Sequence, residues 1–99
     1  FVFYLYGQNS GNKIAIDLID NGREYWRSLI KDDKVGWKEV VIPFNNFFCR
    51  TDWQPDRAVK NKKLDFPIRA FQFEPKTGKG VIFVDNVCLH KKTAKPKGI

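Results

Sequence analysis

Apolar and polar residues alternate along most of this chain, and the alternation predicts β-strands. Clusters of Gly, Asn, Asp and Pro separate the alternating segments, and no window carries an apolar repeat of 3.6 residues. Short strands with frequent turns are typical of two folds, so the predicted fold class is all-β, an antiparallel sandwich or jelly roll. The predicted strands cover residues 1–6, 13–19, 24–30, 37–42, 68–74 and 81–89.

Some residues of these strands need a partner beyond ordinary packing. Residues 1–6 are apolar on both faces, and an exposed edge of that kind invites pairing with another strand. Asp85 shares an apolar face with Val87, and burying a lone carboxylate is costly. Asp85 is therefore expected either to accept hydrogen bonds from backbone amides or to bind a hard cation such as calcium. Trp26 and Trp37 lie in alternating strands and are expected to be packing residues.

The length of 99 residues allows one domain. We expect residues 1–90 to form the sandwich and residues 91–99 to be a basic linker or tail, because four of those nine are Lys and none is acidic. The net charge of +7 invites a nucleic-acid interpretation, but only five of the 18 basic residues are Arg, which phosphate and base recognition favour. Neither nucleic acid nor a membrane is an expected partner, since no apolar run approaches the roughly 20 residues of a membrane span.

Residues that catalyse reactions are sparse in this sequence. His90 is the single histidine, and Cys49 and Cys88 lie too far apart for a zinc motif. There is no nucleophile elbow, P-loop or dinucleotide fingerprint, and no two acids are singled out as the carboxylate pair of a glycosidase. We therefore expect that the protein is not an enzyme and that its two cysteines are unpaired.

The segment Arg50-Thr51-Asp52-Trp53-Gln54-Pro55 is the sharpest candidate for a binding site. An indole stacks on the apolar C–H face of a pyranose, while the planar groups of Arg and Gln hydrogen-bond to neighbouring hydroxyls. The alternative is that Trp53 fills the edge of the sandwich and Arg50 pairs with Asp52. In that case the binding face would lie around three other side chains, Asp17, Tyr25 and Gln72.

Several motifs occur in an order that one known family shares. The most specific pair is Gly36-Trp37-Lys38-Glu39-Val40-Val41-Ile42-Pro43-Phe44 followed by Arg50-Thr51-Asp52-Trp53-Gln54-Pro55. Further segments are Phe3-Tyr4-Leu5-Tyr6-Gly7, Gly22-Arg23-Glu24-Tyr25-Trp26 and Phe83-Val84-Asp85-Asn86-Val87. Together they resemble family 11 carbohydrate-binding modules, which are galactose-binding-domain-like jelly rolls. Family modules begin with additional strands, so the chain resembles a partial domain, the C-terminal portion of a module that lacks its N-terminal strands.

The resemblance implies a function. It implies a secreted, non-catalytic module that binds cellulose-type β-glucan, or a related plant cell-wall polysaccharide, on its concave face and targets an appended glycoside hydrolase to it. It also implies a structural calcium ion, and a missing N-terminal segment or another copy of the chain that completes the sheet. Because galactose-binding-like domains also assemble protein complexes, the alternative is a β-sandwich interaction or assembly domain without sugar binding.

The resemblance also carries over individual residues. The ligand-contacting Arg of the family falls on Arg50, and its stacking aromatic residue falls on Trp53. A contacting acid in the hairpin before the Gly36–Phe44 strand falls at Asp20 or Asn21. For calcium, Asp85 is the candidate ligand.

Overall fold

Residues 1–77 and 82–89 are described by the computed structural model, and this part of the chain forms seven strands and one short 3-10 helix. The all-β prediction is confirmed. The strands are β1 (Val2–Gln8), β2 (Lys13–Ile19), β3 (Tyr25–Lys31), β4 (Val35–Val41), β5 (Phe48–Cys49), β6 (Ala70–Pro75) and β7 (Val84–Cys88), with the 3-10 helix at Phe44–Asn46.

The strands pair in two antiparallel sheets that form the layers of a sandwich. One sheet has three strands in the order β4-β1-β7, and the other has four strands in the order β5-β3-β2-β6. Because β1 has a neighbour on each side, residues 1–6 are not an exposed edge; they form a central strand that is covered on one side and open on the other, where Tyr4 and Tyr6 are exposed. The end strands are instead β4 and β7 in one sheet and β5 and β6 in the other.

The core lies between the sheets and follows the predicted alternation. On β2, Ile16 and Leu18 are completely buried, and on β1 Phe3 is completely buried. The ring of Phe3 meets that of Phe73 edge-on, with centroids 5.0 Å apart, and Phe1 packs beside both. Each such apolar side chain stabilises the fold by about 1.5–3 kcal/mol, so the inward faces of the strands hold the two layers together.

The hairpin between β2 and β3 sets the pairing register of these two strands. Asp20 is completely buried in its turn, where its carboxylate accepts hydrogen bonds from the N–H of Glu24 (2.8 Å) and from the indole of Trp26 (3.2 Å). It also accepts one from the N–H of Asp65, at 3.1 Å. This turn places Asp17 directly opposite Arg27.

The segment that connects β5 to β6 is a long loop packed over this hairpin. The N–H of Val59 donates to the carbonyl of Gly22 at 2.7 Å, and the N–H of Asn21 donates to the carbonyl of Asp65 at 2.9 Å. The polar composition of residues 45–65 predicts a long loop with a short extended or helical piece, and the 3-10 helix and β5 lie at its beginning.

A β-bulge in β7 overturns the predicted environment of Asp85. Tyr4 pairs with Asp85 and Val2 with Cys88, so the register slips between them, and Asn86 adopts a left-handed backbone with φ 51°. The extra residue lets Val84 and Val87 both pack against the core. Asp85 is therefore exposed and does not share a buried apolar face.

The two strand tryptophans have different surroundings. Trp26 packs against the core, as expected. Val40 of β4 faces the core, and Trp37 points to the opposite, outer side of the three-stranded sheet, where it is 55% exposed. The expectation that Trp37 is a packing residue is therefore wrong. No helix in the described residues is long and apolar enough to cross a membrane.

Candidate functional site

The outer side of the four-stranded sheet gathers charged and aromatic side chains. Residues that alternate with the core positions of β2, β3 and β6 point away from the core, and the register sets Asp17 between Arg27 and Gln72. The loop after β5 adds further side chains to the same surface. This surface, which we call the Asp17 face, comprises Asp17, Tyr25, Arg27, Arg50, Asp52, Trp53, Gln72 and Glu74.

Asp17 is the centre of a hydrogen-bonded network and is completely buried. Arg27 binds it through two bonds, Nε to Oδ1 at 2.7 Å and Nη2 to Oδ2 at 3.0 Å. Nη1 of Arg50 and Nε2 of Gln72 donate to its Oδ2 at 3.0 and 2.9 Å. Arg27 also donates to Glu74 at 2.8 Å. Three side chains from three parts of the chain are thus oriented by one carboxylate.

The network keeps its carboxylates ionised. Burial opposes ionisation of Asp17, but hydrogen bonds from Arg27 and Gln72 and the charges of Arg27 and Arg50 outweigh it, so the pKa of this carboxyl lies below its ordinary value. A hydrogen bond from Arg50 lowers the pKa of Asp52 to about 2. A hydrogen bond from Lys76 does most to lower the pKa of Glu74. None of these three groups therefore carries a proton at neutral pH.

Gln54 attaches the loop of Arg50 and Trp53 to the edge of β3. Its side-chain carbonyl accepts the N–H of Tyr25 at 2.7 Å, and its amide donates to the carbonyl oxygens of Tyr25 and Arg50, both at 2.9 Å. The N–H of Arg50 also donates to the carbonyl of Tyr25, at 3.0 Å. The side-chain amide of Gln54 thus continues the hydrogen bonding along the edge of β3 beyond the last residue of β5.

Two aromatic rings form the apolar part of the Asp17 face. Trp53 is 49% exposed, and its ring meets that of Tyr25 nearly perpendicularly with centroids 4.9 Å apart. The guanidinium carbon of Arg50 lies 5.6 Å from the centroid of the Trp53 ring. Arg50 also pairs with Asp52 through Nε at 3.0 Å and Nη2 at 2.8 Å. An exposed indole therefore stands beside a fixed guanidinium, which suits a ligand that has both an apolar surface and hydroxyl groups.

The structure brings together five of the seven residues that the sequence singled out for carbohydrate binding. Both the Arg50–Trp53 candidate and the alternative face belong to one surface, so the two hypotheses are not separate. Asp20 does not reach this surface, because its carboxylate is engaged inside the β2–β3 turn. Asn21 lies exposed in the same turn. The five residues on the Asp17 face are Asp17, Tyr25, Arg50, Trp53 and Gln72.

Sequence reasoning missed Arg27 and Glu74. Arg27 donates two of the four hydrogen bonds that Asp17 accepts, and Glu74 accepts a further hydrogen bond from Arg27. The sequence carried only part of the signal for Arg27: counting back from a turn at residues 20–22 puts Arg27 on the same side of the sheet as Asp17, but only the observed loop at residues 20–24 sets the two directly opposite each other. The position of Glu74 had no such local signal, since β6 is joined to β2 only through tertiary pairing.

Asp85 is the residue predicted to bind calcium. Asp85 is exposed, and its Oδ1 accepts the N–H of Asn86 at 2.8 Å. Within residues 1–77 and 82–89 no group of three or more His, Cys, Asp or Glu side chains is arranged to hold a metal ion. Calcium binding by Asp85 stays a prediction.

The cysteines form no disulfide, in line with the sequence expectation. The thiol of Cys49 donates to Oε2 of the buried Glu24 at 3.1 Å. Burial, together with this carboxylate, raises the pKa of Cys49 to about 11.

Comparison with protein families links this geometry to a known group. A family model described as "Carbohydrate binding domain (family 11)" matches residues 1–92, which include every residue of the Asp17 face. Searches of the curated proteins and of the solved structures found no match.

Proposed function

The chain belongs to the carbohydrate-binding domains of family 11, and from this premise we propose that it binds a single β-glucan chain, or a related plant cell-wall polysaccharide, along the Asp17 face. Bound there, it would hold an appended glycoside hydrolase on its substrate outside the cell. The observation that carries the proposal is the exposed indole of Trp53 beside the oriented guanidinium of Arg50.

The donor groups of the Asp17 face support hydroxyl recognition. A guanidinium has five N–H donors, and Asp17 and Asp52 engage three of those of Arg50, so two remain for a ligand within the described surroundings. The exposed carboxylate of Asp52 is free to accept a hydrogen bond from a hydroxyl group while it holds the guanidinium in place. Because the network exists before binding, little side-chain entropy is lost when the glycan arrives.

The charge balance of the Asp17 face favours an uncharged polysaccharide. Arg27 and Arg50 lie within 3.0 Å of carboxylate oxygens, and Lys76 lies 3.3 Å from Glu74. An acidic sugar would compete with Asp17, Asp52 and Glu74 for the same cations. A neutral glucan avoids that competition.

The ionisation of these carboxylates supports binding without hydrolysis. A glycosidase needs one protonated carboxyl as general acid, usually with a raised pKa. Asp17, Asp52 and Glu74 all have a lowered pKa. Membership of a carbohydrate-binding family fits the same interpretation.

A further strand would complete the sandwich between β6 and β7. These strands end their respective sheets, and a cavity of about 440 Å³ opens between them, lined by apolar residues that include Phe1, Phe71 and Leu89. Phe71 is 47% exposed at this cavity although it lies on the core side of β6. The position of β6 and β7 at the ends of their sheets in the described residues, together with the cavity beside them, supports occupation by an N-terminal segment of the module or by another copy of the chain.

Affinity electrophoresis in gels that contain soluble β-glucan tests the sugar-binding proposal. Trp53→Ala should lose most of its retention, because the stacking surface is removed while the core is untouched. Trp37→Ala is the matched control, since it removes an equally exposed indole from the opposite sheet, and its retention should equal that of the wild type. Equal retention in Trp53→Ala and wild type, or equal loss in both variants at unchanged melting temperature, would contradict the proposal.

A further inference from the structure

The outer side of the three-stranded sheet carries two cross-strand rows of unusual composition. In one row the register sets Trp37 opposite Tyr6, and Tyr6 donates its N–H to the carbonyl of Phe83 at 3.0 Å. In the next row Tyr4 lies between two carboxylates, because it pairs with Glu39 of β4 and with Asp85 of β7. We call this surface the Tyr4 face, and it comprises Tyr4, Tyr6, Trp37, Glu39, Phe83 and Asp85.

The exposed aromatic area of the Tyr4 face is large for a chain of this size. Trp37 is 55% exposed, Phe83 52%, Tyr6 40% and Tyr4 36%. At the usual area of an aromatic side chain, these four rings present roughly 350 Å². That is on the order of the largest apolar patch of a typical monomer, and such patches commonly mark interaction sites.

The charge of the Tyr4 face is opposite to that of the whole chain. Glu39 and Asp85 are its charged groups, and within the described residues neither has a cationic side chain within ion-pair distance. The chain as a whole has a net charge of +7. An acidic surface on a basic protein attracts cations that the rest of the molecule repels.

The aromatic rings of the Tyr4 face lie close together and beside its carboxylates. The rings of Tyr6 and Trp37 are inclined by 63° with centroids 5.4 Å apart, and those of Tyr6 and Phe83 by 85° at 6.2 Å. The exposed π-faces of such rings attract ammonium and guanidinium groups, and a neighbouring carboxylate strengthens that attraction.

We propose that the Tyr4 face docks a basic polypeptide segment, whose Lys or Arg side chains lie against Trp37 and Tyr6 and pair with Glu39 and Asp85. The proposed partner is a separate basic polypeptide and not the same face of a second copy. A twofold dimer through this face would set the carboxylates of one copy against those of the other, and like charges at the centre of an interface are costly. This interaction is independent of glycan binding, because the two faces lie on opposite sheets.

Titration of the whole protein with a synthetic octapeptide of alternating Arg and Ser tests this proposal. Its binding is followed by calorimetry at low and moderate salt. We expect saturable binding that weakens with salt, at least tenfold weaker binding in the double variant Glu39→Gln with Asp85→Asn, and a similar loss in Trp37→Ala. The matched control is Asp33→Asn with Asp56→Asn, which removes two exposed carboxylates elsewhere and should bind within twofold of the wild type.

Three outcomes would overturn the proposal. The first is no saturable binding by the wild type at millimolar peptide. The second is an equal loss in the Asp33 and Asp56 control, which would indicate a general charge effect. The third is a loss of β-glucan retention, or of self-association measured by light scattering, in the Glu39 and Asp85 variant, which would assign the face to a glycan or to a second copy. Unchanged circular dichroism and melting temperature of each variant exclude misfolding as the cause.

Discussion

A single buried carboxylate organises the candidate binding surface of this protein. Asp17 accepts four hydrogen bonds from Arg27, Arg50 and Gln72, and two of those donors are cations. Removing one partner of a buried ion pair leaves the other without compensation, which costs several kcal/mol. Replacing Asp17 is therefore expected to affect both the stability of the fold and the binding of a ligand, and experiments must separate the two effects.

Replacing Asp17 with Asn should lower the free energy of unfolding by about 3 kcal/mol and abolish glucan retention, because Arg27 and Arg50 lose their shared anion. Urea denaturation and affinity electrophoresis measure the two effects. Asp32→Asn is the matched control, since Asp32 is also buried and accepts bonds from Ser10 (2.6 Å) and the N–H of Gln8 (2.9 Å). It should lose stability and keep retention. Loss of retention in both variants would reduce Asp17 to a structural role.

The same residue makes stability depend on acid pH. The pKa of Asp17 is lowered from an ordinary 3.8, so as the pH falls the unfolded chain binds a proton before the folded chain does. Its contribution is complete above pH 3.8 and is lost as the pH falls through the folded pKa. The difference in unfolding free energy between wild type and Asp17→Asn should therefore shrink over the range from pH 3.8 down to the lowered folded pKa. A difference that is constant over this range would contradict the interpretation.

The two thiols should differ in reactivity. Cys88 is exposed, whereas the pKa of Cys49 is raised to about 11 from 9.0, first by burial and then by Glu24. Only the thiolate reacts, so at pH 8 Cys49 should react about a hundredfold more slowly than an ordinary thiol. Titration with a disulfide reagent should show one fast and one slow thiol in the native protein and two equal ones in denaturant. Loss of the fast phase in Cys88→Ser confirms the assignment, and two equal native rates would refute it.

At the scale of elements, the binding loop depends on a strand that ends early. β5 has only two residues, and Gln54 takes over its hydrogen bonds to Tyr25. A side chain that satisfies both the N–H and the carbonyl of a strand residue fixes the path of the following loop. The position of Trp53 on the Asp17 face is thus set by its neighbour as well as by its own contact with Tyr25.

Replacing Gln54 with Ala should weaken glucan retention several-fold and destabilise the fold by only about 2 kcal/mol, because three hydrogen bonds to backbone groups are lost at the edge of the sheet. Gel retention and thermal unfolding report the two effects. Asn45→Ala is the control, an exposed amide in the turn before β5, and it should change neither. Full retention in Gln54→Ala would show that Tyr25 and Arg50 alone position the loop.

At the scale of the whole molecule, the sandwich is open on the side where β6 and β7 lie. The apolar cavity between β6 and β7 exposes Phe71, while the Phe1, Phe3 and Phe73 cluster beneath it is packed. Strands at the end of a sheet beside an open part of a core favour association, and β6 and β7 hold that position in the described part of the chain. The sequence expectation of association thus persists, although its source is this pair of edges and not β1.

We expect the isolated chain to form larger species as its concentration rises, measured by light scattering. Phe71→Lys should reduce this association, because a charge at the mouth of the cavity opposes burial by another strand. Phe48→Lys is the matched control, with a Phe of similar exposure on the other end strand of the same sheet, and it should associate like the wild type. A concentration-independent monomer, or an equal effect of both variants, would contradict this prediction.

The sequence by itself determined which segments are strands and which of their side chains face inward. Ile16 and Leu18 face the core as predicted, since alternation is a local property of an extended backbone. It also contained the order of motifs that identifies the family, and with it Arg50 and Trp53. Where a local irregularity breaks the alternation, as at the Asn86 bulge, the prediction for Asp85 failed.

Only the tertiary structure decided which strands are neighbours and which are ends. Strand order depends on contacts between residues far apart in the chain, and their free energies cannot be read from any single segment. For that reason Arg27 and Glu74 emerged as partners around Asp17 only when β3 and β6 were placed on either side of β2. For the same reason Trp37, which has the alternation of a packing residue, lies on an open face, because no other layer covers that side of β4 in the described part of the chain.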